Sequence, residues 1–186
     1  MEQKRTNRGL TFGIINELLK KEDYIRSLAK NLKTSHTNII RIVNRLVKEN
    51  VLDYEKNGRN KVYFLKKTIE ARSMVFMNEN HNLINFLNKY PELRNVIEKI
   101  QKEKKIKLAI LFGSYTKGLA NQESDIDIYI ETEDIKLKKS IEMINSKLSV
   151  KIGTFDLKSL LIKEIIKNHV ILKGIEEFYE KNEFFE

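Results

Sequence analysis

The chain has 186 residues, of which 41% are hydrophobic and 9% aromatic, and this apolar content excludes wholesale disorder. It contains no cysteine, which excludes disulfides and thiolate metal sites. No apolar run approaches the length of a membrane span, and residues 1–10 lack the apolar core of a signal peptide. We therefore expect a soluble, cytoplasmic protein with no membrane partner.

The charge is unevenly distributed along the chain. Residues 1–67 hold 16 Lys and Arg against 7 Asp and Glu, a net charge of +9, whereas residues 68–186 hold 19 of each. A basic segment joined to a neutral one indicates that the first segment meets a polyanion. Charge alone leaves a second interpretation open, in which the basic side chains only solubilise the surface.

The first third of the chain predicts three short helices. Apolar residues at helical spacing place the first helix over residues 11–20 and the second over residues 24–32, with Asp23 as its cap. A third helix runs to about Glu49 and begins after an N-cap at Thr34 or Ser35.

The third predicted helix has two different faces. One face is apolar, and the other carries donors suited to base edges and phosphates, with no acidic residue. The polar face consists of Thr37, Asn38, Arg41, Asn44, Arg45 and Lys48. Two alternating strands follow around Asn57-Gly58, a strong hairpin signal, with Arg59 and Lys61 near the tip.

Residues 10–67 resemble the winged helix-turn-helix domains of prokaryotic transcription regulators. The matching positions are Leu28-Ala29, Leu46, Val51-Leu52, Gly58-Arg59 and Val62-Tyr63. The resemblance implies that helix 35–49 enters the DNA major groove while the hairpin contacts the backbone. Residues 1–67 are therefore predicted to form a DNA-binding domain, although some winged helices serve only protein contacts or dimerisation, and a homodimer stays open.

Residues 68–105 predict a helical connector. Their apolar residues keep helical spacing, with one break at Tyr90-Pro91. The segment is not rich in Gly or Ser, so we expect a helical joint rather than a flexible linker.

A pair of aspartates follows a glycine-serine turn. Residues 106–112 and 126–130 predict two strands, with Gly113-Ser114 leaving the first. Asp125 and Asp127 are two residues apart, so their side chains lie on one face of the second strand. Paired carboxylates repel each other and favour a cation such as Mg²⁺, while Gly113 and Ser114 suit a phosphate. Each feature alone also fits an ordinary turn and cap.

A third carboxylate is predicted on a neighbouring strand. Residues 149–157 are the good candidate strand downstream, and Asp156 is the acid it contains. Residues 135–148 supply the helix that crosses back to it. Three carboxylates around two Mg²⁺ ions activate a nucleophile and neutralise charge on an α-phosphate, with Asp156 as the best-placed base.

Residues 92–186 resemble the minimal nucleotidyltransferases of the polymerase-β superfamily. The resemblance rests on Gly113-Ser114, ten further residues, Asp125-Ile126-Asp127 and a distant Phe155-Asp156-Leu157. It implies an α/β domain with a mixed sheet over residues 106–186, and transfer of a nucleoside monophosphate from an NTP, ATP above all, to a hydroxyl. Lys117 stands where these enzymes often have a basic residue, which implies a triphosphate contact. The whole chain is thus predicted to be α+β.

Three functions follow from these predictions, in order of preference. The first is a Mg²⁺-dependent nucleotidyltransferase that carries its own DNA-binding module. The second is a DNA-binding regulator or antitoxin, since minimal nucleotidyltransferases often modify or sequester a HEPN-type toxin partner. The third is nucleotide addition to RNA. The sequence leaves open the acceptor, the NTP and the DNA site.

Overall fold

The computed structural model describes residues 7–186; residues 1–6, which the first predicted domain includes, lie outside the described residues. Contacts between residues divide the chain into two compact units. One contains the residues up to Asn78 with Phe185–Glu186, and the other contains Glu79–Phe184. Within residues 7–186, no helix is long and apolar enough to span a bilayer.

Three helices form most of the first unit. They are α1 (Asn7–Lys20), α2 (Ile25–Asn31) and α3 (His36–Lys48). Helix α3 begins where the sequence predicts, because the Ser35 side chain accepts a hydrogen bond from the Asn38 amide at 3.2 Å. Its predicted apolar face is buried through Ile39, Ile42, Val43 and Leu46. The alternation of apolar and polar residues at helical spacing therefore predicted this helix correctly.

A small antiparallel sheet completes the first unit. Strands β2 (Leu52–Asn57) and β3 (Asn60–Leu65) form the predicted hairpin, with Gly58 in the turn at φ +59°. A third strand, β1 (Asp23–Tyr24), pairs with β3. Asp23 is therefore not the cap of α2 as predicted, because its backbone lies in β1 and its carboxylate accepts from the Ser27 hydroxyl at 2.6 Å.

The predicted connector is helical, as its spacing indicates. Helix α4 covers Ile69–Lys89, a single 3₁₀ turn covers Pro91–Leu93, and α5 covers Arg94–Lys102. The break falls at Tyr90-Pro91 because proline lacks the amide hydrogen that a continuous helix needs. The boundary between the two units falls inside α4.

The second unit is built on a four-stranded mixed sheet. Its strands are β4 (Ala109–Phe112), β5 (Ile126–Glu131), β6 (Leu148–Gly153) and β7 (Val170–Lys173), in the order β6-β5-β4-β7. Strand β4 is antiparallel to β5 and β7, whereas β5 and β6 are parallel. Helix α7 (Ile135–Glu142) makes the crossover between the parallel strands. The predicted mixed sheet is confirmed.

The two faces of β5 have different surroundings. Ile126, Ile128 and Ile130 point into the main hydrophobic core, which α5 and α7 cover. Asp127, Tyr129 and Glu131 alternate with them and therefore point to the other face. There Tyr129 lies beside the Phe155 ring, at a centroid distance of 6.2 Å. Phe155 in turn contacts Phe178 of α9 (Ile175–Lys181).

A buried carboxylate lies within the second unit, in α4. Glu79 is 2% exposed, and the Tyr179 hydroxyl donates to its Oε1 at 2.7 Å. His169 Nε2 lies 3.8 Å from the same oxygen. Burial would raise the pKa of Glu79, but the charge and hydrogen bonds of His169, Tyr179 and Asn82 together hold this pKa below its ordinary value. This cluster therefore stabilises an ionised carboxylate inside the unit.

Candidate functional site

The chain turns sharply where β4 ends. Gly113 adopts φ +77°, in the region that side chains rarely allow. The next four residues form a single helical turn, α6 (Ser114–Lys117), which Gly118 ends in the left-handed conformation. The Thr116 hydroxyl donates to the Gly113 carbonyl at 2.9 Å and so fixes the turn. The half-buried Ser114 is thereby held at the end of β4.

Asp127 lies directly against Gly113. Strand pairing sets Asp127 opposite Phe112, and a Cβ added to Gly113 would lie 2.5 Å from Asp127 Oδ2. No side chain fits at that distance, so the glycine gives the carboxylate its space as well as allowing the turn. The structure thus brings the two halves of the predicted motif into contact.

Asp125 precedes β5 and is exposed, whereas Asp127 is half-buried within the strand. The loop before Asp125 is fixed by Asn121 Oδ1, which accepts from the Glu123 amide at 2.9 Å and from the Ser124 hydroxyl at 3.0 Å. Asp125 is close enough to Asp127 for its charge to act on it. The structure therefore brings Gly113, Asp125 and Asp127 together, as predicted.

The pKa of the Asp127 carboxyl is raised above its ordinary value. Burial is the largest cause, and the charges of Asp125 and Glu164 add to it. A hydrogen bond from Ser149 and the charge of Lys151 act in the opposite direction without cancelling the rise. Excess negative charge beside oxygen ligands is what a divalent cation neutralises. Asp125 and Asp127 therefore form a pair of oxygen donors of the kind that suits a divalent cation.

Lys117 points to a carboxylate of the same unit. Its Nζ lies 2.6 Å from Glu164 Oε1 in α8 (Leu160–Lys167), and both side chains are more than a third exposed. An ion pair thus takes up the charge of Lys117, and its contact with a triphosphate stays a prediction.

The prediction that Asp156 lies on the neighbouring strand is wrong. Strand β6 ends at Gly153, and Asp156 belongs to the turn before α8, where its Oδ1 accepts from the Lys158 amide at 2.9 Å. The preceding Phe155 amide donates to Glu131 Oε1 at 3.3 Å. Glu131 is four residues beyond Asp127 along β5, a distance of about 13 Å. Asp156 therefore lies toward the opposite end of the parallel strand pair.

Among residues 7–186, no three His, Cys, Asp or Glu side chains are grouped closely enough to hold a metal ion together. The structure therefore does not assemble Asp125, Asp127 and Asp156 as one ligand set. A role for Asp156 in metal binding or as a base stays a prediction.

Three residues near Asp127 are absent from the sequence prediction: Ser149, Lys151 and Glu164. Ser149 pairs directly with Asp127 and Lys151 pairs with Tyr129, so both share the Asp127 face. Alternation within residues 149–157 already puts Ser149 and Lys151 on one face of β6. What the sequence lacks is the register between β5 and β6, which selects that face.

The predicted DNA-contacting side chains are exposed in the first unit. These residues are Thr37, Asn38, Arg41, Asn44, Arg45 and Lys48 of α3, with Arg59 and Lys61 of the hairpin. Two arginines also brace α3 against α1, since Arg41 donates to the Asn7 side chain at 2.5 Å and Arg45 to the Thr11 hydroxyl at 2.8 Å. The Lys61 ammonium lies over the Tyr54 ring, 3.7 Å from its centroid. The predicted contact residues of α3 thus lie on its exposed side, beside the exposed Ile40.

Comparison with known proteins identifies the second unit. The family model described as polymerase beta, nucleotidyltransferase matches residues 94–184. Two proteins of Methanocaldococcus jannaschii, both named protein adenylyltransferases, are 34% identical over 98 residues and 38% identical over 96 residues. Each match covers 49% of this chain and 92% of the relative.

A crystal structure of a toxin-antitoxin with AMP-PNP is similar over 49% of this chain and 85% of its own. Its TM-score is 0.36 at 24% sequence identity, too low to support a conclusion about this chain. The relatives carry the identification instead, because this chain aligns with nearly their whole length. The chain therefore belongs to the polymerase beta nucleotidyltransferase family and is an enzyme of nucleotidyl transfer.

Proposed function

We propose that the second unit transfers AMP from ATP to a hydroxyl acceptor with release of pyrophosphate. The observation that carries the proposal is the Asp127 carboxylate fixed against Gly113, with Asp125 beside it. The relatives are named protein adenylyltransferases, so a protein hydroxyl is the acceptor we favour.

The transfer forms one bond and breaks another at the α-phosphorus. The acceptor oxygen bonds to phosphorus, and the bond to the bridging oxygen breaks, so that pyrophosphate leaves with the bonding electron pair. The hydroxyl proton passes to water at the exposed rim of the site, where Asp125 lies. Gly113 and Ser114 bind the triphosphate, because a turn without a Cβ lets phosphate oxygens approach backbone amides and a hydroxyl.

Asp125 and Asp127 would hold Mg²⁺. When bound, the ion would supply positive charge that stabilises the negative charge developing on the phosphoryl oxygens. A hydrogen bond from Ser149 orients the Asp127 carboxylate before nucleotide arrives, and this preorganisation lowers the cost of binding.

A label-transfer assay tests the proposal. The chain is incubated with α-labelled ATP, Mg²⁺ and cell extract, beside Asp125→Ala and the matched control Glu123→Ala, an exposed carboxylate of the same loop. Label on a protein band with the chain and the control, but lost at least a hundred-fold with Asp125→Ala, is the expected result. Equal labelling by Asp125→Ala and the natural sequence would refute the assignment of Asp125 and Asp127 as the metal-binding pair. Label on RNA would show that the acceptor is an RNA hydroxyl rather than a protein hydroxyl.

We also propose that the first unit is a winged helix that binds DNA. Its support is the acid-free exposed face of α3 together with the net charge of +9 in residues 1–67. In this arrangement α3 would enter the major groove, and Arg59 and Lys61 would contact the backbone from the hairpin.

DNA binding is tested by the salt dependence of the affinity. Lys48→Ala should weaken binding to all sequences and lower the slope of log affinity against log salt by about 1. The control is Lys30→Ala, an exposed lysine of α2 outside the proposed surface. An unchanged slope for Lys48→Ala would exclude this lysine from the interface.

A second function combines the two modules. A DNA-binding unit joined to a transferase suits a regulator of its own operon, in which the transferase modifies or binds a HEPN-type toxin. The identity of the labelled protein in the label-transfer assay distinguishes this function from that of a general metabolic enzyme. Labelling of a small helical toxin would support it, and labelling of unrelated proteins would refute it.

A further inference from the structure

Strand register brings a lysine to the carboxylate face of the sheet. Ser149 of β6 pairs with Asp127, and Lys151, two residues further, pairs with Tyr129. Residues two apart on a strand share a face, so Lys151 lies diagonally across from Asp127. Burial raises the pKa of the Asp127 carboxyl, and the charge of Lys151 offsets part of that rise. Lys151 therefore places a positive charge on the sheet face that carries Asp127.

Lys151 differs from Lys117 in what surrounds its ammonium group. The Lys117 charge is taken up by Glu164 at 2.6 Å. Lys151 is exposed and makes no salt bridge with any residue from 7 to 186. Its long stem lets the ammonium move over the sheet face while the backbone stays fixed in β6. It is therefore available to a ligand that Asp125 and Asp127 help to bind.

A second metal ion has no ligand set at this place. Two ions need carboxylates on both sides of the reacting phosphate, and no three acidic, histidine or cysteine side chains group together within residues 7–186. The positive charge of Lys151 on the Asp127 face also repels a second cation. The residues present fit one divalent ion and one side-chain cation.

We infer that Lys151 is a catalytic residue of this transferase, whose ammonium binds a non-bridging α-phosphate oxygen at a site that holds a single divalent cation. The inference rests on the proposed function. As the acceptor oxygen bonds to phosphorus and pyrophosphate leaves, negative charge grows on the non-bridging oxygens, and Lys151 donates a hydrogen bond to one of them. Lys151 stays protonated throughout, so the balance of atoms and electrons is that of the transfer itself.

The first experiment counts bound cations. Mn²⁺ is titrated into the full chain with an equimolar non-hydrolysable ATP analogue, and free Mn²⁺ is measured by electron paramagnetic resonance. One ion per chain is expected for the natural sequence. Lys151→Asp, which places a third carboxylate on the Asp127 face, should bind two. Two ions bound by the natural sequence would overturn the inference, as would one ion bound by Lys151→Asp.

The second experiment separates binding from turnover. Lys151→Met, similar in length but uncharged, should lower kcat roughly a hundred-fold and change KM for ATP less, because the contact strengthens in the transition state. Lys151→Arg should recover most of the rate. Lys139→Met is the matched control, since this exposed lysine lies on α7, which covers the opposite face of the sheet. A rate for Lys151→Met equal to that of the control would refute the catalytic role.

These results also distinguish a failure of the proposed transfer activity from a failure of the role of Lys151. If the natural sequence neither binds Mn²⁺ nor transfers AMP, both the proposed function and this inference are refuted. If the natural sequence and Lys151→Met transfer AMP equally well and Asp125→Ala does not, the proposed function stands. The role of Lys151 alone is then rejected.

Discussion

Gly113 serves two purposes, and each has its own cost on substitution. Gly113→Ala strains a backbone at φ +77° and puts a methyl group 2.5 Å from Asp127 Oδ2. We expect a loss of about 1–3 kcal/mol in the free energy of unfolding and at least a hundred-fold loss of transfer rate, since the carboxylate must move. Urea unfolding and label transfer measure the two effects.

Gly58→Ala is the matched control for that variant. Gly58 has φ +59°, and its added Cβ would meet nothing within 4 Å. This control should show a strain of about 1–2 kcal/mol and a normal transfer rate. Equal transfer rates in the two variants would show that the space beside Asp127 is not needed for transfer. Gly113 would then be required only for its backbone conformation.

Glu79 predicts a dependence of stability on pH. Its pKa is lower in the folded chain than in the unfolded chain, so its stabilisation is complete above the unfolded value of about 4.3 and is lost as pH falls through the folded value. Glu79→Gln should lower the free energy of unfolding at pH 7 by about 2 kcal/mol, the value of a charged hydrogen bond. Urea unfolding at pH 7 and pH 3.5 should show the difference shrinking at the lower pH.

Glu180→Gln, an exposed acid of α9, is the control and should leave stability unchanged. A pH-independent effect of Glu79→Gln would mean that shape rather than charge stabilises the cluster with Tyr179 and His169.

At the scale of single elements, α3 depends on its first residue. Ser35 alone accepts the Asn38 amide with its side chain, while Thr34 Oγ1 receives only the Asn38 side-chain amide at 3.3 Å. Ser35→Ala should therefore destabilise the first unit by about 1 kcal/mol, and Thr34→Ala by clearly less. Thermal unfolding of the two variants measures this, and equal losses would contradict the cap assignment.

Elements with a regular pattern were predictable, but not all of their ends were. The spacing of Ile39, Ile42 and Leu46 predicted α3, and the Asp125-Ile126-Asp127 alternation predicted the carboxylate face of β5. The end of β6 at Gly153 was not predictable, because residues 154–157 continue to read as a strand while Phe155 bonds to Glu131 instead. The position of Lys151 beside Asp127 could not be predicted without the register between β5 and β6. That register depends on packing between segments that are distant along the chain.

For the molecule as a whole, the charge distribution predicts different responses to salt. Five cations lie on the proposed DNA surface, namely Arg41, Arg45, Lys48, Arg59 and Lys61, and residues 68–186 have no net charge. Raising salt from 50 to 200 mM should weaken DNA binding by roughly several hundred-fold, if most of them contact phosphate. Transfer at saturating ATP should change far less. Parallel salt titrations of both activities measure this, and equal losses would place the polyanion site elsewhere.

The contact between Gly113 and Asp127 also constrains how this sequence can diverge. The two positions share one volume, so the cost of a substitution at either depends on the residue at the other. Loss of the carboxylate at position 127 opens space for a side chain at position 113, whereas a side chain at position 113 meets the carboxylate at once. Descendants that abandon catalysis should therefore lose the aspartate first and the glycine later, and a descendant that retains Asp127 should retain Gly113 with it.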